Sequence, residues 1–269
     1  MRGLKGKNVL VTGGTSGIGQ ATAVRFAEYG ANVAINYLTT PDEAAETEEQ
    51  VHACIGRVRQ QDVRDVLVKG DVSKEEDVIQ MVEQTVSELG SIDVLINNAG
   101  IQISRPSHEL SQADFEKVIA VNLRGAFLCA RETIKRFLDA DKGGVIVNVS
   151  SVHQDIPKPD YLGYSVSKGG MRNLTRTLAL EYAGHNIRVN GIGPGATITP
   201  INRAWVDVPE KAAQVTSHIP LGRPGTADEM AGVTCFLASD DAAYITGQTV
   251  FIDGGLTLYA DFRKPWSSE

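Results

Sequence analysis

The chain has 269 residues, 42% apolar and 22% charged, which excludes a disordered or fibrous protein and leaves room for a substantial core. A formal charge of −7 argues against nucleic acid or an anionic membrane surface as a partner, since both select basic faces. The three cysteines, Cys54, Cys129 and Cys235, have neither metal-ligand nor disulfide spacing, and Cys129 and Cys235 read as core filler in apolar helices.

The amino terminus, Met1 to Asn8, is basic and carries no signal-peptide pattern. No stretch reaches the ~20 apolar residues of a membrane span, so the expected location is cytoplasmic. The first strand is expected at Asn8–Thr12. It runs into Gly13-Gly14-Thr15-Ser16-Gly17-Ile18-Gly19 and then an amphipathic helix, Ile18–Tyr29, with Ala21, Val24, Phe26 and Ala27 on its apolar side. Glycines there permit a tight turn and close backbone approach to a diphosphate. The helix start offers free N–H groups and a positive dipole end to that anion.

Further strands are expected at Asn32–Asn36, Val66–Lys69, Val94–Asn97, Val145–Val149, Arg188–Ile192 and Thr249–Ile252. Helices are expected at Glu43–Gln60, Glu75–Leu89, Gln112–Leu138, Tyr164–Tyr182 and Ala227–Ala238. Apolar strands alternating with helices indicate a parallel sheet covered on both faces. The polar stretch Pro41 to Asp65 is expected to be the least regular part, a surface helix with a longer loop. Neither an interdomain linker nor an internal repeat is visible, so residues 1–269 read as a single domain.

Small polar residues follow strand after strand: Gly70-Asp71-Val72, Asn97-Asn98-Ala99-Gly100, Ser150-Ser151 and Gly193-Pro194-Gly195. Ligands of such sheets bind outside the carboxyl ends of the strands, so these turns mark one rim of a site. Tyr164 and Lys168 are four apart on an expected helix and share a face, which lets phenol and ammonium converge. A phenol with a reference pKa of about 10 becomes a proton-transfer group when a nearby cation favours the phenolate. His52, His108, His185 and His218 read as surface or loop residues, and no pair has metal-ligand spacing.

Thr12 to Gly19, Asn97-Asn98-Ala99-Gly100, Asn122, Ser151 and Tyr164-x-x-x-Lys168 together resemble a classical short-chain dehydrogenase/reductase, from about Lys5 to Gly255. The resemblance implies a Rossmann fold, a doubly wound seven-stranded parallel sheet with helices on both faces. Within the family the likeness is to bacterial glucose 1-dehydrogenases, carried by Ser151-Val152-His153, Ile156-Pro157, Ser167 to Met171, Ala179 to Ala183, Ile192 to Ala196, Thr199 to Asn202 and Asp253-Gly254-Gly255.

That likeness implies hydride transfer between NAD or NADP and a sugar or polyol, with 3-oxoacyl-thioester reduction as the alternative and a non-catalytic dinucleotide sensor as a remote one. It makes Tyr164 the proton-transfer group, Lys168 the cation that lowers its pKa and holds the nicotinamide ribose, and Ser151 the donor to the substrate oxygen. Asn122 is implied to position a water leading from Lys168 to solvent. Gly13, Thr15, Ser16, Gly17, Ile18 and Gly19 are implied to hold the diphosphate, and Asn36 and Tyr37 the adenosine ribose. Asp71 and Val72 are implied at the adenine, Asn98, Ala99 and Gly100 along the ribose path, and Pro194, Gly195, Thr197 and Thr199 at the carboxamide. Ser151, His153, Gln102 and Asn202 are the expected substrate contacts. A homotetramer is implied, through long helices such as Ala227–Ala238 and the segment Gln248–Tyr259.

The pattern departs from those relatives in three places. Asn36-Tyr37-Leu38-Thr39-Thr40 has no acid to bind a ribose diol, and Leu38 stands where an arginine is usual, so NAD and NADP both stay open. Asn36, Thr39 and Thr40 are expected to hydrogen-bond either cofactor. The stretch 41–65 is longer, and Gln102 replaces a glutamate.

Overall fold

The computed structural model describes residues 1–38 and 44–258. Strand β1 (Asn8–Val11) leads through the glycine turn to helix α1 (Gly17–Glu28), then β2 (Asn32–Tyr37), α2 (Ala44–Arg59), β3 (Asp65–Lys69), α3 (Glu75–Leu89) and β4 (Val94–Asn97). The chain continues through α4 (Gln112–Ile119), α5 (Gly125–Ala140), β5 (Gly144–Val149), α6 (Leu162–Tyr182) and β6 (Ile187–Pro194). After β6 come β7 (Thr197–Ile198), α7 (Arg203–Val206), α8 (Pro209–Ser217), β8 (Gly225–Thr226), α9 (Ala227–Ala238) and β9 (Thr249–Ile252).

Seven strands form one parallel sheet in the order β3-β2-β1-β4-β5-β6-β9, and β7 pairs with β8 apart from it. The chain winds outward from β1 to β3, then restarts at β4 on the other side of β1. A crevice therefore opens past the carboxyl ends of β1 and β4, where the connections diverge. This is the doubly wound architecture that the strand-helix alternation implied.

Strand side chains alternate between two apolar layers. Val9, Val11, Val33, Ile35, Ile96, Val147 and Ile192 point to the layer beneath α1 and α9, with Phe26, Cys235 and Leu237. Leu10, Ala34, Leu95, Ile146 and Val189 point to the opposite layer, with Met81, Val82, Cys129, Ile134 and Phe137 of α3 and α5. All three cysteines are buried and unbridged. The central strands β1 and β4 are buried from end to end because both of their faces are covered.

Local signals place the helix ends. Glu75, Glu76 and Asp77 complement the positive end of α3, and Gly90 closes that helix at φ 93°. At α9 the Thr226 hydroxyl accepts from the Glu229 N–H, and Glu229 accepts from the Thr226 N–H: a reciprocal cap.

The helix expected over Glu43–Gln60 is found as the sixteen-residue α2, with Cys54 and Val58, four apart, fully buried against the first layer. The structure corrects two expectations. The long helix expected over Gln112–Leu138 is broken by a π-helical turn, Ala120–Arg124, where the side chain of Asn122 turns inward. Helices α7 and α8 were not anticipated.

Candidate active site

One cavity of about 530 Å³ lies beyond the carboxyl ends of β1, β4, β5 and β6. Its floor is the glycine turn. Gly13 and Gly17 have φ of 58° and 51°, left-handed values that disfavour a side chain. A Cβ on Gly19 would collide with the carbonyl oxygen of Gly13 and the amide of Asn98, so only glycine lets α1 begin this close to β1. Ser16 caps α1 without a side-chain bond, leaving the first-turn N–H groups aimed at the cavity without an intramolecular side-chain acceptor.

The turn is held from behind. The Asn36 side chain accepts from the Gly13 N–H at 3.0 Å and donates to the carbonyls of Val68 and Gly70. Thr12 Oγ1 donates to the Ile96 carbonyl and accepts from the N–H groups of Asn98 (2.9 Å) and Ala99 (3.1 Å). Asn98 in turn donates to the carbonyls of Thr12 and Gly13. Two strand ends are thus tied into one rigid rim. The loop from Asn98 to Gly100 runs along it.

On the far wall Tyr164 and Lys168 rise from the first two turns of α6, facing Ser151 at the end of β5. The Ser151 backbone is extended, and its Oγ accepts from the His153 N–H at 3.1 Å. That leaves its proton for the Tyr164 oxygen, a bond that pulls the phenol pKa down. Burial is the stronger influence and holds Tyr164 above the ordinary tyrosine value. Lys168 is 4% exposed, donates to the Val149 carbonyl at 2.7 Å, and burial pushes its pKa down to about 8. Its Nζ lies 5.5 Å from the Tyr164 ring centre. The ammonium is turned to a backbone carbonyl, and desolvation outweighs the Ser151 hydrogen bond at the phenol.

The cavity collects Gly13, Ser16, Gly17, Ile18, Asn98, Ala99, Gly100, Ser151, Tyr164, Lys168, Pro194, Gly195, Thr197 and Thr199, together with Gln102, His153 and Asn202. Gln102 donates to the Ile201 carbonyl and Asn202 to the Thr197 carbonyl, both at 2.9 Å, so the two amides brace the segment after β7. His153 stacks edge-on to Tyr164 at 6.2 Å, with Nδ1 3.0 Å from the Ile156 carbonyl.

Other expected residues lie behind or beside the cavity. Asn36 is 2% exposed with its amide fully spent on backbone, which corrects its reading as a ribose contact. Asn122 is 0% exposed; its Oδ1 accepts from the Ile101 N–H, and its Nδ2 donates to the Ile101 carbonyl and to Ser167 Oγ. Its side chain has no donor left for a water, so the π turn makes it a clamp between the loop after β4 and α6. Asp71 Oδ1 accepts from the N–H and hydroxyl of Ser73, and Val72 packs inward against Gly125. Thr15, Gly19 and Tyr37 also stand outside the lining. Thr39 and Thr40 fall outside the described residues.

Sequence reasoning missed Lys158, Trp205, Val215 and Ile219, which also line the cavity; His218, exposed just past α8 as expected of a surface or loop residue, borders it too. Pro209 at the first turn of α8 was the available signal for that wall. Among the described residues no group of acids, histidines or cysteines could hold a metal, and no helix is long and apolar enough to cross a membrane.

Residues 13–257 match a family model described as enoyl-(acyl carrier protein) reductase. The chain is 51% identical over 264 residues to glucose 1-dehydrogenase of Gluconobacter oxydans (98% of this chain, 96% of that one). It is 44% identical over 260 residues to 3beta-hydroxysteroid dehydrogenase 1 of Eggerthella lenta (97% of each). A crystal structure from Agrobacterium tumefaciens with bound NADP superposes with a TM-score of 0.83 at 30% identity, covering 94% of this chain and 97% of that one.

Proposed function

The chain belongs to the short-chain dehydrogenase/reductase family, and from that premise we propose that this NAD(P)-dependent oxidoreductase oxidises a sugar, β-D-glucose at C1 to the lactone. The observation that supports this most directly is one cavity lined by the glycine turn, Ser151, Tyr164 and Lys168 together. The likeness to a glucose 1-dehydrogenase over nearly the full chain supports the substrate.

The nicotinamide, when bound, supplies the hydride acceptor or donor; the protein supplies position and proton handling. The uncapped first turn of α1, with Gly13, Ser16, Gly17 and Ile18, fits a diphosphate, because its N–H groups face the cavity and no Cβ intrudes. Asn98 to Gly100 line the ribose path, and Pro194, Gly195, Thr197 and Thr199 the carboxamide side. Asp71 and Val72 stand at the adenine end.

Tyr164 takes the hydroxyl proton in oxidation and returns it in reduction. Ser151 donates to the oxygen on which charge develops. Lys168, released from the Val149 carbonyl when a ribose takes its place, brings its ammonium to bear on the phenol and favours the phenolate. Asn122 acts through position alone, holding Ile101 against α6. His153, Gln102 and Asn202 form the polar substrate rim. The same reading takes the enzyme to be a homotetramer in the cytoplasm; Leu180 and Tyr244, both largely exposed, support a further interface.

A screen of NAD⁺ and NADP⁺ against aldoses, polyols, secondary alcohols and 3-oxoacyl thioesters tests the reading. Turnover of β-D-glucose is expected with at least one dinucleotide. Activity confined to acyl thioesters would overturn it.

A further inference from the structure

A row of polar side chains crosses the apolar layer behind the cavity. Asn97 of β4 and Asn148 of β5 are direct partners in the parallel register, and Asn97 Nδ2 donates to Asn148 Oδ1 at 2.9 Å. Asn148 Nδ2 donates to Thr175 Oγ1 of α6, also at 2.9 Å, and that hydroxyl donates to the Met171 carbonyl one turn back. A second bond from Asn97 reaches the Ala126 carbonyl of α5 at 3.1 Å. All three side chains are 3% exposed or less. The two asparagines share the strand face of Leu95 and Ile146, two residues before them. Apolar side chains would fill this layer without the cost of desolvating amides and a hydroxyl, so the row answers a need other than burial.

That need is register. Tyr164, Lys168, Met171, Thr175 and Ala179 follow one face of α6. Met171 is flexible and Ala179 small, so they fill space without fixing where the helix lies along the strand. A hydrogen bond is directional and does fix it. Asn148 stands three residues before Ser151, and Thr175 two turns beyond Lys168 on the same face. Sliding α6 by one residue moves Tyr164 and Lys168 by about 1.5 Å, enough to strip the 2.7 Å bond from Lys168 to the Val149 carbonyl. Among the described residues that bond is the other direct hydrogen bond from α6 to β5. In the function proposed above it is surrendered when a ribose binds, which leaves Asn148 and Thr175 to hold the helix on the strand.

We propose that Asn148 and Thr175 are positioning residues: their hydrogen bond sets the register of α6 on β5 and keeps Tyr164 opposite Ser151 while Lys168 changes partners. The inference rests on the proton-transfer roles proposed for Tyr164 and Ser151. Neither positioning residue lines the cavity, so both act through the placement of α6.

The test compares the native enzyme with Thr175→Val, Thr175→Ser and the paired variant Asn148→Leu with Thr175→Val. In Thr175→Val kcat should fall at least tenfold while the dinucleotide Kd changes less than threefold. Thr175→Ser keeps the hydroxyl and should stay within threefold of native kcat. The paired variant is apolar on both sides of the lost bond, and Asn97 keeps the Ala126 carbonyl, so it should regain most of any Tm lost in Thr175→Val without regaining kcat. If Thr175→Val does not fold, the paired variant carries the kcat comparison. An unchanged kcat, a kcat that returns together with Tm, or an equal fall in Thr175→Ser overturns the proposal. If no alcohol is turned over, the dehydrogenase reading fails, and a crystal structure of the paired variant still decides the register. A distance from Lys168 Nζ to the Val149 carbonyl opened past ~3.5 Å supports it, and one kept at 2.7 Å overturns it.

Discussion

Lys168 and Tyr164, one helical turn apart on α6, share a cavity wall without sharing a hydrogen bond: the ammonium donates to the Val149 carbonyl at 2.7 Å. Burial moves their pKa values apart, the phenol up and the ammonium down to about 8. Each group is thereby closer to the neutral form. The pair is poised to change partners when a ligand competes for the lysine.

Replacing Tyr164 by Phe removes the proton-transfer group while keeping the ring against His153. Hydride transfer should fall by about 10²–10⁴-fold, with dinucleotide affinity changed little. Single-turnover rates beside a binding titration check this, and undiminished turnover would refute the role.

The lowered pKa of Lys168 has a stability consequence with a definite sign. Its folded value, about 8, is below the unfolded value of about 10.4. Below pH 8 the folded chain carries the cost of a buried ammonium, and that cost fades as pH rises from 8 toward 10. The native enzyme should therefore gain stability relative to Lys168→Met across that window. Urea unfolding of both proteins between pH 7 and 10 measures the difference, and a pH-independent offset would contradict the titration.

Gly19→Ala places a methyl group against the Gly13 carbonyl and the Asn98 amide. Either α1 shifts or the rim opens, and both misplace the N–H groups that face the diphosphate. At least a hundredfold loss of dinucleotide affinity is expected by fluorescence titration, with the circular dichroism spectrum showing whether the fold survives.

Leu38, 47% exposed just past β2, sits where a ribose 2′-phosphate would lie in this fold. Leu38→Arg should shift the NADP⁺ to NAD⁺ ratio of kcat/KM at least tenfold toward NADP⁺. The shift should shrink in added salt, since an exposed charge is screened.

Thr226→Ala dismantles the cap of α9. A loss of about 1 kcal/mol is expected, or roughly 2–4 °C in Tm. Glu229, held at about 2 by Arg223 and the Thr226 N–H, adds a pH signature. Its contribution is present above the unfolded value of about 4.3 and is lost as pH falls toward 2. Arg223 and the N–H at position 226 survive the substitution, so thermal melts of both proteins should fall together as pH drops from 5 toward 2, the capping offset between them being kept.

Periodicity and turn chemistry determined the sheet. Strands such as Val94–Asn97 and Thr249–Ile252 were legible residue for residue, because apolar runs between glycine and asparagine turns leave few other ways to bury both faces. The resemblance to short-chain dehydrogenases/reductases brought Ser151, Tyr164, Lys168 and the glycine turn together as one group. Only the tertiary structure decided how each polar group is spent. Asn36 and Asn122 look like ligand-facing amides in sequence, yet each is consumed by buried backbone that the packing would otherwise orphan. Lys158 lies on the loop before α6, and the fold brings it to the cavity wall. Local pattern encodes which surfaces must be buried. Hydrogen-bond partners and desolvation depend on contacts between residues distant along the chain, and those exist only once it has folded.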